Sequence, residues 1–179
     1  LLEVGVVPVG IETYANSRRL EKSFRLQGAE LETEYNSIEA AIQRPLVKEA
    51  DFHGKAAHLS HREEDPCAIL CTMVLDDLNV SGSTRYPVGI CPIIDPATGE
   101  VPIDSKGRRS YTTGMSYCPS IKKFVAMGYL PRELAIQGKQ LLIEYFNEDG
   151  DGIYPITVQI VGKGSCLLYT SPSPRDMWT

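Results

Sequence analysis

From Cys67 onward the chain alternates short apolar runs with turn residues, and this half carries the clearer pattern. The run from Cys67 to Asp77, "CAILCTMVLDD", is rich in residues that favour extended backbone, and Gly, Pro and Asp separate the later runs of the same kind. The spacing predicts strands near 67–76, 87–94, 109–114, 122–129, 140–146 and 153–160, with Pro131-Arg132-Glu133-Leu134 as one helical turn. About six short strands spaced in this way predict a small barrel or sandwich.

The first sixty residues read differently. Residues 13–28 carry Tyr14, Leu20, Phe24 and Leu26, which predicts a short helix, or a helix running into a strand, with Gly28 as its C-cap. Asn36 and Ser37 ahead of Ile38-Glu39-Ala40-Ala41-Ile42 predict a capped short helix that Pro45 breaks. Asp51 to Leu59 reads as a turn opening another helix, which the cluster Arg62-Glu63-Glu64-Asp65-Pro66 ends. The expected fold class is α+β: an α/β remnant at 1–60 followed by a small C-terminal antiparallel β-barrel at 67–165. Both ends read as cut. There is no initiator Met, and Cys166 to Thr179 shifts to a Ser/Pro-rich string holding the only Trp, which resembles translated adapter read-through; 166–179 is expected to be a non-native tail.

The chain has 179 residues, 42% of them hydrophobic and 23% charged, which fits a folded globular class with room for one domain or a small α/β piece plus a barrel. A net charge of −5 argues against nucleic acid as a partner, because neutralising phosphates needs a concentrated basic surface. No run approaches the roughly 18 apolar residues of a membrane span, so no membrane partner is expected. Residues 1–20 lack the layout of an export signal. Five cysteines at irregular spacing predict reduced thiols, not a disulfide framework.

The run "YANSRRLEKSFRLQGAELETEYNSIEAA" presents Arg19-Leu20-Glu21-Lys22, Phe24-Arg25, Gly28, Glu30-Leu31 and Glu39-Ala40 in order. "DFHGKAA" follows at Asp51 to Ala57, and "DPATGEVPIDSKGRRSYTTGMSYCPSIKKFVAMGYLP" brings a Thr-Gly turn, a Pro-Ser-x-x-Lys run and a Tyr-Leu-Pro strand end. Over nearly residues 10–165 this resembles the C-terminal part of the folate-binding aminomethyltransferase module, the glycine-cleavage T-protein type, and leans toward the dimethylglycine and sarcosine dehydrogenase family. The resemblance implies that 1–60 is the C-terminal part of the folate-binding domain. It further implies tetrahydrofolate as cofactor, a methylated amine as the small-molecule substrate, and FAD in an upstream domain of the parent. The family's catalytic Asp is expected upstream of Leu1, so the piece alone is expected to be inactive. The implied location is cytoplasmic in a bacterium and the mitochondrial matrix in a eukaryote. Departures from the family pattern are Gln27 where Trp is common, Ala41 where Gly is common, and Ala15 where glycine-cleavage enzymes commonly carry Arg. The last of these turns the reading toward amine oxidation. Glycine-cleavage transfer, a flavin-free sulfonium demethylase and a non-catalytic regulatory relative are the alternatives.

Under that resemblance Arg19 and Arg25 are candidates for the folate carboxylates, since a planar guanidinium binds a carboxylate bidentately. Glu21 either accepts from pterin nitrogens or pairs with Arg25 at i+4 on a helix face. Arg108, Arg109, Tyr111 and Thr112 either line a groove, with Tyr111 a folate contact, or form a solvated hairpin rim. No metal site is expected. Cys67 and Cys71 on a regular strand would stand about 13 Å apart. Asn147 to Gly152 mimics the start of a calcium loop, but Val158 occupies the place of the bidentate Glu, so a hairpin turn is the expectation.

Overall fold

The computed structural model describes residues 2–43, 46–75, 89–147 and 150–162. The expected tail at 166–179 and the first two residues of the 87–94 strand lie outside them. Among the described residues the strands are β1 (Ala68–Leu75), β2 (Ile93–Ile94), β3 (Thr112–Cys118), β4 (Lys123–Pro131), β5 (Gln140–Asn147) and β6 (Gly150–Val161). All pair antiparallel in the order β2-β5-β6-β1-β4-β3. The two edges then return to one another. Pro92 bridges Tyr111, the Thr112 amide donates to the Cys91 carbonyl at 2.8 Å, and the Ile93 amide donates to the Ser110 carbonyl at 3.2 Å. The sheet therefore curls into a half-barrel whose two edges meet through these few hydrogen bonds, called the barrel below.

Alternation along β1 and β4 explains their continuous apolar runs. Cys71, Met73 and Leu75 with Phe124, Ala126 and Leu130 point into the barrel core beside Ile93, Leu141, Ile143 and Ile156. Leu70 and Val74 with Val125, Met127 and Tyr129 face the other way, against Leu20 and Ala40 of the N-terminal lobe. Both faces of these central strands are buried, and each large aliphatic side chain so buried contributes about 1.5–3 kcal/mol. Gly128 sits where the Tyr111 backbone crosses the sheet. A Cβ there would stand 2.6 Å from the Tyr111 carbonyl oxygen.

Two strands differ from expectation. The strand expected at 109–114 occupies Thr112–Cys118, and the chain passes Gly114 without ending, because this glycine lies under the Arg19 side chain and a register shift between Thr112 and Gly114 absorbs the irregularity. The strand expected at 87–94 narrows to two residues, since Pro92 lacks an amide and Ile90 has a positive φ of 66°.

The lobe before β1 holds little regular structure. A π-helical turn (Thr13–Arg18) passes into α1 (Arg19–Glu21), which stops well before Gly28. Ser23, at φ 53°, takes the left-handed closing position: the Phe24 amide donates to the Arg19 carbonyl at 2.9 Å and the Ser23 amide to the Leu20 carbonyl at 3.0 Å. Gly28 instead serves a separate turn between Gln27 and Leu31. The helix expected at 36–42 is a single turn. Asn36 Oδ1 accepts from the Ile38 and Glu39 amides, both at 2.9 Å, and Glu39 Oε2 accepts from the Asn36 amide at 3.0 Å. This reciprocal capping is what Asn-x-x-Glu encodes, and Ala41 at φ 53° closes the turn. α2 (Lys55–Glu63) follows near its expected place and buries no residue. Among the described residues no helix is long and apolar enough to cross a membrane.

Candidate functional site

Short chain segments with few apolar side chains cannot hold the lobe by burial alone, and buried charges take over that task. Arg19, 8% exposed, donates through Nη1 to Glu30 Oε2 at 2.7 Å and to the Phe24 carbonyl at 3.3 Å, and through Nε to the Ala15 carbonyl. Glu30 is fully buried, and its other oxygen accepts from Thr113 Oγ1 of β3 at 2.7 Å. The Leu26 amide adds a third donor to this carboxylate at 2.8 Å. A Cβ on Gly114 would lie 2.5 Å from Arg19 Nη2, so the guanidinium occupies the space a side chain would fill.

Arg25 points at backbone, not at an acid. Its donors reach the carbonyls of Ala40 (3.0 Å), Ser23 (2.6 Å) and Gly162 (2.9 Å), which ties the lobe to the end of β6. Burial lowers its pKa, partly offset by Tyr129 and Glu30. Glu21 does not pair with Arg25, because the helix ends at Lys22 and places residue 25 off its face. Its oxygens accept instead from Arg18 Nη1 and the Ser120 amide, each at 2.9 Å. Burial pushes the Glu21 carboxyl upward, and these hydrogen bonds outweigh it, leaving the pKa below its usual value.

The second cluster gathers around Arg108 and adds Tyr35 and Asp104, which sequence reasoning did not single out. Arg108 donates from Nε to Asp104 Oδ2 at 2.7 Å, from Nη1 to the Glu34 carbonyl at 2.6 Å, and from both Nη atoms to the Glu39 carboxylate. Its guanidinium carbon stands 4.2 Å from the centre of the Tyr35 ring, and Tyr35 stacks parallel on Tyr129 at 3.5 Å. The Tyr129 hydroxyl donates to the Glu30 carbonyl at 2.7 Å, which links this cluster to the first. The Arg108 side chain is only 9% exposed, and the solvated-rim alternative does not hold for it. Burial pushes the Glu39 and Asp104 carboxyls upward, and hydrogen bonds from Arg108, joined by the Asn36 amide at Glu39 and the Lys106 amide at Asp104, outweigh that effect and hold both below their usual values. Burial raises both Tyr35 and Tyr129, with Glu34 adding to it at Tyr35 and Tyr35, then Glu30, adding to it at Tyr129. Tyr111 is half-buried, its pKa raised by burial and by Glu34 and Glu32.

Beside this lattice opens a cleft of about 290 Å³ lined by Gln27, Leu31, Glu32, Tyr35, Ser37 and Ala40 among others. A second cleft of about 260 Å³ shares Ser37 and Ile42 with it and reaches Lys48, Phe52 and His58. His58 Nδ1 lies 3.1 Å from Ser37 Oγ. Of the four side chains expected at a folate, Arg19, Glu21 and Arg25 each take separate protein partners and do not line the cleft, while Tyr111 stands near the acidic pair Glu32 and Glu34. Asn36 was legible as a cap and Arg108 as part of a polar cluster, but nothing local marked Glu30, Glu39 and Asp104 as the buried partners of arginines. Among the described residues no group of three or more His, Cys, Asp or Glu is placed to hold a metal ion.

No protein-family model matches the chain. It is 34% identical over 152 residues to the mitochondrial dimethylglycine dehydrogenase of Mus musculus, covering 82% of this chain and 15% of that protein. It is 31% identical over 150 residues to the aminomethyltransferase of Koribacter versatilis, covering 82% of this chain and 35% of that protein. Among solved structures, the glycine cleavage system aminomethyltransferase T from Bartonella henselae superposes with a TM-score of 0.60 at 21% identity, over 81% of this chain and 36% of that one. The chain thus spans about a third of the aminomethyltransferases it matches and a smaller share of the dehydrogenases.

Proposed function

Because the chain carries an aminomethyltransferase-like C-terminal module that dimethylglycine dehydrogenases share, we propose that it is part of a tetrahydrofolate-dependent one-carbon enzyme acting on an N-methylated amine. In this reading the parent protein oxidises the amine with FAD held outside this chain, and tetrahydrofolate supplies capture of the released one-carbon unit. The observation that carries the reading is the similarity to dimethylglycine dehydrogenase over four-fifths of the chain. Ala15, standing where glycine-cleavage enzymes commonly carry Arg, supports amine oxidation over aminomethyl transfer from a carrier protein. The similarity to aminomethyltransferases keeps that transfer as the second reading. In a eukaryotic source the protein would work in the mitochondrial matrix, and in a bacterial one in the cytoplasm.

The residues present fit a folate in part. The cleft offers Gln27, Glu32, Thr33 and Ser37, an acceptor-rich set suited to the amide and amino edge of a pterin. Arg19 donates through Nε and Nη1 to Glu30 and to backbone carbonyls, and Arg25 donates to three backbone carbonyls. Their part in the proposal is to orient the lobe that carries the cleft. Tyr111 remains the expected side chain at the cleft's acidic edge.

The test uses the intact protein that carries this chain, supplied with dimethylglycine or sarcosine. Flavin absorbance that bleaches on adding amine, with tetrahydrofolate suppressing formaldehyde release, is the expected outcome. A protein that leaves both amines untouched and instead releases ammonia from an aminomethylated carrier, with tetrahydrofolate present, belongs to the second reading.

A further inference from the structure

The wall of the cleft formed by Tyr35, Asn36, Ser37 and Ala40 has almost no repeating backbone structure of its own. The Leu70 amide of β1 donates to the Glu39 carbonyl at 2.9 Å, and beside that backbone tie a side chain from the other region fastens the wall to the barrel. Arg108 leaves the hairpin bridged at Ile103 and Arg109 and spends donors on Asp104 of its own loop, then on the Glu34 carbonyl and Glu39 of the wall. Its side chain is 9% exposed, and those of Glu39 and Asp104 are 1% and 2% exposed. Glu39 also closes the capped turn that begins the wall's far side, through the Asn36 amide. Over the Tyr35 ring the same guanidinium completes a stack of Arg108, Tyr35 and Tyr129. One residue thus sets both the in-plane position of Tyr35 and the anchorage of the Asn36–Glu39 turn.

We propose that Arg108 is a positioning residue for the cleft: it fixes the Tyr35–Ala40 wall against the barrel and so sets the affinity for a ligand seated there, without touching that ligand. The inference rests on the one-carbon reading for the ligand's identity. It follows from geometry that a lysine cannot reproduce. A single ammonium can meet Glu39 or Asp104 as a point charge, but it cannot bridge both in a plane while lying flat on Tyr35.

The experiment titrates tetrahydrofolate calorimetrically into the intact protein, the Arg108→Lys and Glu39→Gln variants, and a control, Ile156→Val, whose change lies in the barrel core. Arg108→Lys and Glu39→Gln are each expected to raise Kd about fivefold or more, while Ile156→Val loses thermal stability and keeps Kd. The near-ultraviolet circular dichroism of the tyrosine stack is expected to change in Arg108→Lys and not in Ile156→Val. Tetrahydrofolate binding to the unaltered protein with an unchanged Kd in Arg108→Lys overturns the role of Arg108 and leaves the one-carbon reading intact. An equal rise in Kd in Ile156→Val also overturns it, since the effect would then be general destabilisation. No binding by the unaltered protein overturns both.

Discussion

The barrel and the lobe before it are fastened by different physics. In the barrel, β1 and β4 pair along seven positions and bury apolar side chains on both faces, so backbone ladder and hydrophobic core reinforce each other. In the lobe the fully buried side chains include Glu21 and Glu30; Arg19 braces Glu30 within the lobe, while Glu30 with Thr113, Arg25 with the Gly162 carbonyl and Glu39 with Arg108 tie it to the barrel. The difference teaches that a region too short to build a core can still be held firmly, provided every buried charge is met. It also makes the lobe the more brittle part, because removing one member leaves its partner stranded in low dielectric.

The largest expected effect comes from stranding such a partner. Arg19→Ala leaves the Glu30 carboxylate buried without its cation, and chemical denaturation should show a loss of about 3–5 kcal/mol. Leu130→Ala in the barrel opens a cavity and should cost about 2–5 kcal/mol, nearer the lower figure if neighbouring Met73 closes over it. Comparable losses by such different substitutions would support the contrast, whereas a negligible loss for Arg19→Ala would break it.

Acid sharpens the comparison at a smaller scale. Glu39 and Asp104 titrate below their ordinary values of 4.5 and 3.8. A depressed folded pKa gives stability that is present above the ordinary value and lost as pH falls through the folded one. Unfolding midpoints should therefore stay level from pH 7 down to about 4.5 and fall below it. In Arg108→Gln the fall should be shallower, because the Arg108 guanidinium supplies part of the depression beside the backbone amides of Asn36 and Lys106. The smallest effect belongs to the exposed pair Arg132 and Asp65, with side chains 52% and 82% exposed. Asp65→Asn should change stability by less than about 1 kcal/mol, as solvent-screened pairs do.

Legibility followed the same division. Runs of β-favouring residues located β1, β4, β5 and β6, because apolar sequence and backbone ladder point the same way there. β3 was placed too early because Gly114 reads locally as a strand end, while its true reason is the distant Arg19 side chain. The closing turn at Ser23 was invisible because a left-handed residue is expected to be Gly, and tertiary contacts instead hold a serine whose hydroxyl lies 3.2 Å from Thr72 Oγ1. Asn36-x-x-Glu39 was readable in part as a cap. Of the residues expected to meet folate, the Arg-Leu-Glu segment proved to carry buried structural ties. The Arg108 lattice joins positions about seventy residues apart along the chain, and no local pattern announces such a pairing.

Native-state hydrogen exchange on Arg19→Ala tests most directly whether buried charge fastens the lobe separately from the barrel. The expected result is that backbone amides between 24 and 42 lose protection while those of β1 and β4 keep it, since the barrel's ladder and core do not depend on Arg19. A uniform loss of protection across both regions would contradict the account, and so would a lobe that exchanges as slowly without Arg19 as with it.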